Sequence, residues 1–78
     1  MIVIDARGLI CPLPVLKLRK VLLSLPENAE VMIDVTDKNA LKDIPLFCAE
    51  NGYSVLDQIE IAGGWRVTVR ASSVRGTK

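Results

Sequence analysis

The segment IVIDARGLICPLPVLKLRK, residues 2–20, contains the change from a strand pattern to a helix pattern that decides the fold. Residues 2–4 form a short β-branched run, and Gly8 breaks the pattern, which is typical of a strand followed by a loop. Residues 12–25 then place apolar side chains at helical spacing, opposite a polar face. A proline at the start of this run suits the first helical turn, and Pro26 stops the helix.

The middle of the chain predicts a second strand and a second helix. Residues 31–35 are apolar and β-branched, as expected for a strand covered on at least one face. Thr36 or Asp37 is expected to cap the helix that follows. Pro45 lies within that helix, so we expect either a kink or a helix that restarts with Asp43 as its cap. Gly52 then ends the helix.

The end of the chain predicts an antiparallel hairpin. Residues 53–61 and 65–71 are rich in β-forming residues and flank the turn sequence Ala62-Gly63-Gly64. A glycine pair supplies the positive φ angles that a tight hairpin turn needs. Alternating apolar and polar residues after the turn predict one covered and one solvated face, with Trp65 packed on the covered side.

These elements give the order β-α-β-α-β-β and the class α+β, a two-layer α/β sandwich. We expect a four-stranded mixed sheet with both helices on one face. At 78 residues, the chain predicts a single domain, residues 1–78, structured over about 2–71 with a loose tail at 72–78. The other sheet face would be solvated or covered by a partner, so a monomer and a weak homodimer both remain open.

Composition excludes several classes of function. The net charge of +1 gives no global field toward nucleic acid or acidic lipid, and three aromatic residues offer no base-stacking surface, so direct nucleic-acid binding is not expected. No apolar run is long enough for a membrane span, and no secretory signal is present, so we expect a cytoplasmic protein. With two cysteines and no histidine, neither a metal site nor a bound cofactor is predicted.

Cys11 is the candidate catalytic residue. It lies at the predicted start of the first helix, where free N–H groups and the helix dipole stabilise a thiolate, so a lowered thiol pKa is expected. Arg7 lies on the same loop and would add positive charge, while Pro12 and Pro14 would stiffen the turn and fix where the sulfur points. Because His is absent, a Cys–His dyad for acyl transfer is impossible within this chain.

Cys11 also has a structural interpretation, as a small apolar residue packed beneath the helix start. The flanking prolines favour the functional interpretation. For Cys48, which lies on the inward stripe of the second helix, a buried structural thiol is favoured over a redox partner.

Lys17, Arg19 and Lys20 lie on the outer face of the first helix. They are candidates for a basic docking surface around the sulfur, and an ordinary solvated helix face is the alternative.

Three stretches resemble the TusA/SirA-like family of sulfur carriers, over about residues 2–71. DARGLICPLP at residues 5–14 is similar to the family's N-terminal signature, DIP at 43–45 with Phe47 and Cys48 is similar to its second-helix motif, and the hairpin also fits. The resemblance implies a two-layer sandwich and a sulfurtransferase-like persulfide carrier that acts with partner enzymes. Cys11 matches the sulfur-bearing residue, and Asp43 joins Arg7, Pro12 and Pro14 as a supporting residue.

The resemblance also implies partners. A cysteine desulfurase or a rhodanese-type protein would donate sulfur, and a downstream protein would accept it, as in tRNA thiolation or another sulfur pathway. This chain has Thr36-Asp37-Lys38-Asn39 where many members have an acidic residue and a proline, and Leu13 where the tRNA-thiolation branch tends to have an acidic residue. Donor, acceptor and pathway therefore stay open.

Two other functions are compatible with the sequence. A non-catalytic regulatory or interaction module would keep the fold without the chemistry, and its function would survive Cys11→Ser. A thiol-disulfide redox protein would use Cys11 as attacker and Cys48 as resolver, which requires their Cα atoms to lie within about 7 Å.

Overall fold

A computed structural model describes residues 2–26 and 28–71. The elements are β1 (Ile2–Ala6), α1 (Leu13–Leu23), β2 (Glu30–Val35), α2 (Ala40–Asn51), β3 (Ser54–Ile61) and β4 (Gly64–Arg70). The predicted order β-α-β-α-β-β is confirmed. The predicted tail at 72–78 lies outside the described residues.

The sheet has the strand order β1-β2-β4-β3. β1 runs parallel to β2, with Ile4 opposite Ile33, and β4 runs antiparallel to both β2 and β3. The first pair is parallel because α1 carries the chain back across the sheet, whereas β3 and β4 are joined by a tight turn. The sheet is therefore mixed, as predicted.

The core lies between one face of the sheet and both helices. Strands contribute alternate residues to it and helices contribute residues four apart, as one-sided burial requires. Its buried members include Ile4 and Ala6 of β1, Val31, Ile33 and Val35 of β2, Val67 and Val69 of β4, Leu18 and Leu22 of α1, and Ala40, Ile44 and Cys48 of α2. Trp65 packs against this core, which confirms its predicted role in sheet packing.

The other face of the sheet carries paired charges. Asp34 of β2 is only 8% exposed and accepts two hydrogen bonds from Arg66 of β4, Nε at 2.7 Å and Nη2 at 2.9 Å. These bonds hold the pKa of Asp34 below its ordinary value. Glu30 and Arg70 pair on the same two strands at 2.9 Å. Cross-strand ion pairs thus join β2 and β4 on the face without helices.

α1 is shorter than the predicted run of residues 12–25. Pro12 is the N-cap, and its carbonyl accepts the first helical hydrogen bond, from Leu16 N–H at 3.1 Å. At the other end, the N–H groups of Ser24 and Leu25 donate to carbonyls three residues back, at 3.1 and 3.2 Å. This tighter turn ends the helix before Pro26.

α2 corrects two predictions. Its N-cap is Asn39, not Thr36 or Asp37, because the Asp37 carboxylate instead accepts the Asn39 N–H at 3.1 Å in the turn that precedes the helix. The helix runs through Pro45 without a break, so the predicted restart at Asp43 is wrong. Pro45 cannot donate a helical hydrogen bond, but Ile44 beside it is fully buried in the core. Gly52 ends the helix as predicted, with φ of 80°.

The β3–β4 turn uses its two glycines for different purposes. Only Ala62 and Gly63 form the turn. Of the two glycines, only Gly63 has a positive φ, 78°. Gly64 is already paired with Ile61, and a Cβ atom on it would lie 2.2 Å from the carbonyl oxygen of Val35. The predicted positive φ at both glycines is therefore wrong, and Gly64 instead permits β4 to approach β2 closely.

Candidate functional site

Cys11 lies in the loop between β1 and α1, with its side chain exposed. The loop folds on itself through Leu9 N–H to the Ala6 carbonyl at 3.2 Å and Leu13 N–H to the Ile10 carbonyl at 2.9 Å. These two turns cover residues 6–9 and 10–13, so Cys11 lies within the second turn, immediately before the helix.

Two hydrogen bonds tie this loop to the connection between β2 and α2. Gly8 N–H donates to Thr36 Oγ1 at 2.8 Å, and Cys11 N–H donates to Asp37 Oδ2 at 2.7 Å. Both acceptors follow β2, the strand that pairs with β1 in parallel, so the ends of neighbouring strands bring the two loops together. The backbone of Cys11 is thereby fixed relative to α2.

The thiol of Cys11 is hydrogen-bonded to a side chain of α2. Sγ donates to Oδ2 of Asp43, which lies in the first turn of that helix. The sequence suggested Asp43 as a supporting residue, and the structure brings it into direct contact with the sulfur. The cysteine is thus held by two aspartates, Asp37 at its backbone and Asp43 at its thiol.

The electrostatics of the site correct a prediction. The hydrogen bond to Asp43, followed by desolvation and by the charges of Asp43 and Asp37, raises the pKa of the Cys11 thiol above its ordinary value. The sequence predicted a lowered pKa from the helix N-terminus. That effect is confined to the first turn of a helix, and α1 begins only at Leu13, two residues after the cysteine. The adjacent carboxylates therefore dominate.

Arg7 does not supply the predicted positive charge to the sulfur. Its guanidinium binds the Asp5 carboxylate, Nε at 3.0 Å from Oδ1 and Nη2 at 3.3 Å from Oδ2. The side-chain hydrogen bond from Arg7 lowers the pKa of Asp5 to about 2. The charge of Arg7 is thus balanced by Asp5, two residues back in β1.

The two prolines of the motif occupy different environments. Pro12 is the exposed N-cap of α1, whereas Pro14, in the first helical turn, is fully buried. Pro14 therefore anchors the helix start in the core, and Pro12 connects it to the cysteine. Both positions suit proline, since the first-turn N–H groups of a helix have no helical acceptor.

The predicted basic surface lies on α1 and is exposed. Lys17, Arg19 and Lys20 all reach solvent. Lys17 has a structural contact as well, because its Nζ donates to the backbone carbonyl of Asp5 at 2.7 Å.

Sequence reasoning missed two features of the site. Asp37 was interpreted only as a helix cap, and a contact between loops 26 residues apart in sequence carries no periodic signal. The second is a set of exposed apolar side chains within five residues of Cys11 in the sequence, namely Ile10 (69% exposed), Leu13 and Leu16. Leu13 and Leu16 lie three residues apart and outside the inward stripe of α1, which was a usable signal.

Cys48 is buried in α2, as predicted, and only 1% of its surface is exposed. Burial raises the pKa of its thiol to about 11. Both cysteines are free thiols. An uncharged, inaccessible sulfur is a poor attacker or leaving group, which disfavours the redox interpretation.

Residues 2–26 and 28–71 contain neither a cluster of metal-binding side chains nor a membrane-spanning helix. No group of three or more His, Cys, Asp or Glu side chains in that part of the chain is arranged to hold a metal ion. Within the same residues, no helix has the length and apolar character needed to cross a membrane.

Fold and site together define a small α+β protein that presents one accessible thiol between a loop and a helix. Comparison with known proteins agrees with this class. The family model for sulfurtransferase TusA matches residues 2–71, and the chain belongs to this family of sulfur carriers.

Individual relatives cover most of the chain. A sulfur carrier protein TusA from Pseudomonas fluorescens strain SBW25 is 37% identical over 71 residues, 91% of this chain and 86% of the relative. One from Pseudomonas putida strain GB-1 is 37% identical over 68 residues, 87% and 85% of the two chains. The crystal structure of a SirA-like protein from Desulfitobacterium hafniense superposes with a TM-score of 0.82 at 29% identity, covering 94% of this chain and all of that one.

Proposed function

We propose that Cys11 accepts a sulfur atom as a persulfide from a donor protein and relays it to an acceptor protein. The donor would be a cysteine desulfurase or a rhodanese-type protein. The observation that carries this proposal is the position of Cys11: its thiol is exposed at the edge of the fold, on a backbone fixed by hydrogen bonds. Membership of a sulfur-carrier family supports it.

The chemistry needs little from this chain. A thiol that attacks the outer sulfur of a persulfide forms a new S–S bond while the old one breaks, so sulfur moves without a redox cofactor. The partner protein brings the persulfide, and the carrier must offer an accessible thiol that the partner can reach. The exposed apolar residues Ile10, Leu13 and Leu16 beside the thiol provide a surface that such a partner could cover.

The acceptor defines the pathway, and we propose only its class. A downstream sulfur-accepting protein, such as one that serves tRNA thiolation or another sulfur pathway, would take the sulfur from Cys11. The differences from the family pattern at Leu13 and at residues 36–39 are expected to affect which partner binds. Leu13 is two residues from Cys11 in the sequence, and Asp37 is hydrogen-bonded to the Cys11 backbone.

The test is intact-protein mass spectrometry after incubation with a cysteine desulfurase, pyridoxal phosphate and cysteine. Wild type and Cys48→Ser are expected to gain one sulfur that a reductant removes, and Cys11→Ser is expected to gain none. Cys48→Ser is the matched control because it removes the other thiol of the chain.

The interaction-module alternative makes the opposite prediction. No persulfide would form on wild type from either type of donor, and the cellular function would survive Cys11→Ser. Slow alkylation of Cys11 does not by itself support that alternative, because the raised thiol pKa also makes a working carrier slow to alkylate.

A further inference from the structure

Asp43 is the group in contact with the Cys11 thiol hydrogen. Its Oδ2 accepts that hydrogen, and Asp43 comes from α2 while Cys11 comes from the β1–α1 loop. Asp43 therefore contacts the one exposed thiol of the described residues, whereas an ordinary surface carboxylate faces water. The sequence contains no histidine that could serve as a base instead.

For Cys11 to attack a persulfide, its thiol must lose a proton, and Asp43 lies in position to accept it. The nucleophile is the thiolate, and the thiol of Cys11 holds its proton more tightly than a free cysteine does. Little thiolate is therefore present before the partner arrives. Some group must take the proton as the new S–S bond forms.

We propose that Asp43 is the proton acceptor for Cys11 during sulfur loading. This inference rests on the proposed carrier function. As Cys11 Sγ bonds to the outer sulfur of the donor persulfide, the thiol proton moves to Asp43 Oδ2. The S–S bond of the donor breaks, and its electron pair leaves with the donor cysteine as a thiolate.

The step balances. A donor persulfide R–S–SH, the Cys11 thiol and the Asp43 carboxylate give a Cys11 persulfide, the donor thiolate and a protonated Asp43. The outer sulfur keeps its hydrogen, one negative charge passes from Asp43 to the donor, and no external oxidant or reductant is needed. Asp43 then returns the proton to water or to the donor.

Asp37 has a different task from Asp43. Its two oxygens accept backbone N–H groups, Oδ1 from Asn39 at 3.1 Å and Oδ2 from Cys11 at 2.7 Å. Asp37 thus fixes the cysteine backbone, and only Asp43 touches the sulfur. Arg7 is bound to the carboxylate of Asp5 and Lys17 to its carbonyl oxygen, so neither of these cations pairs with the Asp43 carboxylate.

The test is Asp43→Asn, measured in two reactions whose rates should move in opposite directions. Alkylation of Cys11 by iodoacetamide should become faster at neutral pH, because removal of the carboxylate charge lowers the thiol pKa. Sulfur loading in a single turnover should become slower, by at least about tenfold, because the proton acceptor is lost. A purely structural role of Asp43 would not produce this opposition.

Two sulfur donors separate chemistry from docking. A persulfidated cysteine desulfurase presents a protein surface, whereas glutathione persulfide presents almost none. Loading of Asp43→Asn should be slower from both donors. A loss confined to the desulfurase would overturn the proposal, because it would assign Asp43 to partner binding.

Asp43→Glu and Asp37→Asn are the companion variants. Asp43→Glu keeps a carboxylate and should recover part of the loading rate, and it also serves if Asp43→Asn folds poorly. Asp37→Asn removes a nearby charge without removing the group that touches sulfur, so it should slow loading from glutathione persulfide less than Asp43→Asn does.

Two further outcomes are decisive. If Asp43→Asn loads as fast as wild type, or faster, Asp43 merely restrains the thiol and the inference is wrong while the carrier function stands. If wild type itself gains no sulfur from either donor, the carrier function fails and this inference fails with it.

Discussion

At the scale of single residues, the reactivity of Cys11 is decided by two carboxylates and not by the helix that follows it. The thiol donates to Asp43, and the N–H of the same residue donates to Asp37. A hydrogen-bonded, negatively charged neighbour favours the protonated thiol, so the pKa of Cys11 is raised. A resting thiol of this kind is protected from alkylation and oxidation until a partner engages it.

The raised pKa predicts the pH dependence of Cys11 alkylation. In a Cys48→Ser background, the iodoacetamide rate should rise with pH and reach half its maximum at a higher pH than the rate for an ordinary cysteine thiol does. Thiolate forms only above the thiol pKa, which explains the direction. An unstructured peptide containing one cysteine is the control. A midpoint at or below that of the peptide would contradict the described environment of Cys11.

At the scale of elements, the tight packing of the hairpin against β2 depends on Gly64. A Cβ atom there would meet the Val35 carbonyl oxygen at 2.2 Å, and a backbone atom cannot move aside as a flexible side chain can. Gly63 is different, because its φ is 78° but a Cβ atom would have nothing within 4 Å. One glycine is required by crowding and the other by backbone conformation.

These two glycines give a paired stability prediction. Gly64→Ala should lower the free energy of unfolding by about 3 kcal/mol, since β4 must shift away from β2. Gly63→Ala should cost only about 1 kcal/mol, the penalty of a left-handed conformation for alanine. Urea unfolding at one temperature measures both. An equal or smaller loss for Gly64→Ala would show that the strands are not so closely packed.

Elements were more predictable than contacts between loops. The strands, the helices and their order could be predicted from the spacing of apolar residues. This spacing is two residues in a strand, as for Val67 and Val69, and about 3.6 in a helix, as for Leu18 and Leu22, because these side chains must all face the core. The N-cap of α2 did not follow, because Asp37 accepts the Asn39 N–H in a turn before the helix. The pKa of Cys11 did not follow either, because it depends on where the Asp37 and Asp43 carboxylates point across 26 and 32 residues of sequence. Local patterns contain no information about these long-range contacts.

At the scale of the whole molecule, the surface around Cys11 combines apolar and basic residues. Ile10, Leu13 and Leu16 are exposed beside the thiol, and Arg19 and Lys20 lie on the same helix. The sheet face without helices carries the paired charges of Asp34 and Arg66 together with exposed Val3 and Ile59. Because a sulfur donor must reach Cys11, partner binding is expected at the start of α1, next to the sulfur.

This arrangement predicts that the basic residues of α1 assist docking of a sulfur-donor protein. The double variant Arg19→Glu and Lys20→Glu should slow loading from a cysteine desulfurase by about threefold to tenfold at low salt, with a smaller effect at high salt. Loading from glutathione persulfide should stay unchanged, which is the internal control. Unchanged loading from both donors would identify these residues as an ordinary solvated helix face.

The central claim is that the transferred sulfur resides on Cys11, and peptide-level mass spectrometry tests it most directly. After loading, the protein is alkylated with iodoacetamide and cleaved with trypsin without reduction. Trypsin cleavage after Arg7, Lys17, Lys42 and Arg66 places the two cysteines in separate peptides, residues 8–17 and 43–66. The extra sulfur should be found only in the peptide of residues 8–17, between Cys11 Sγ and the alkyl group. Extra sulfur in residues 43–66, or in neither peptide, would contradict the account.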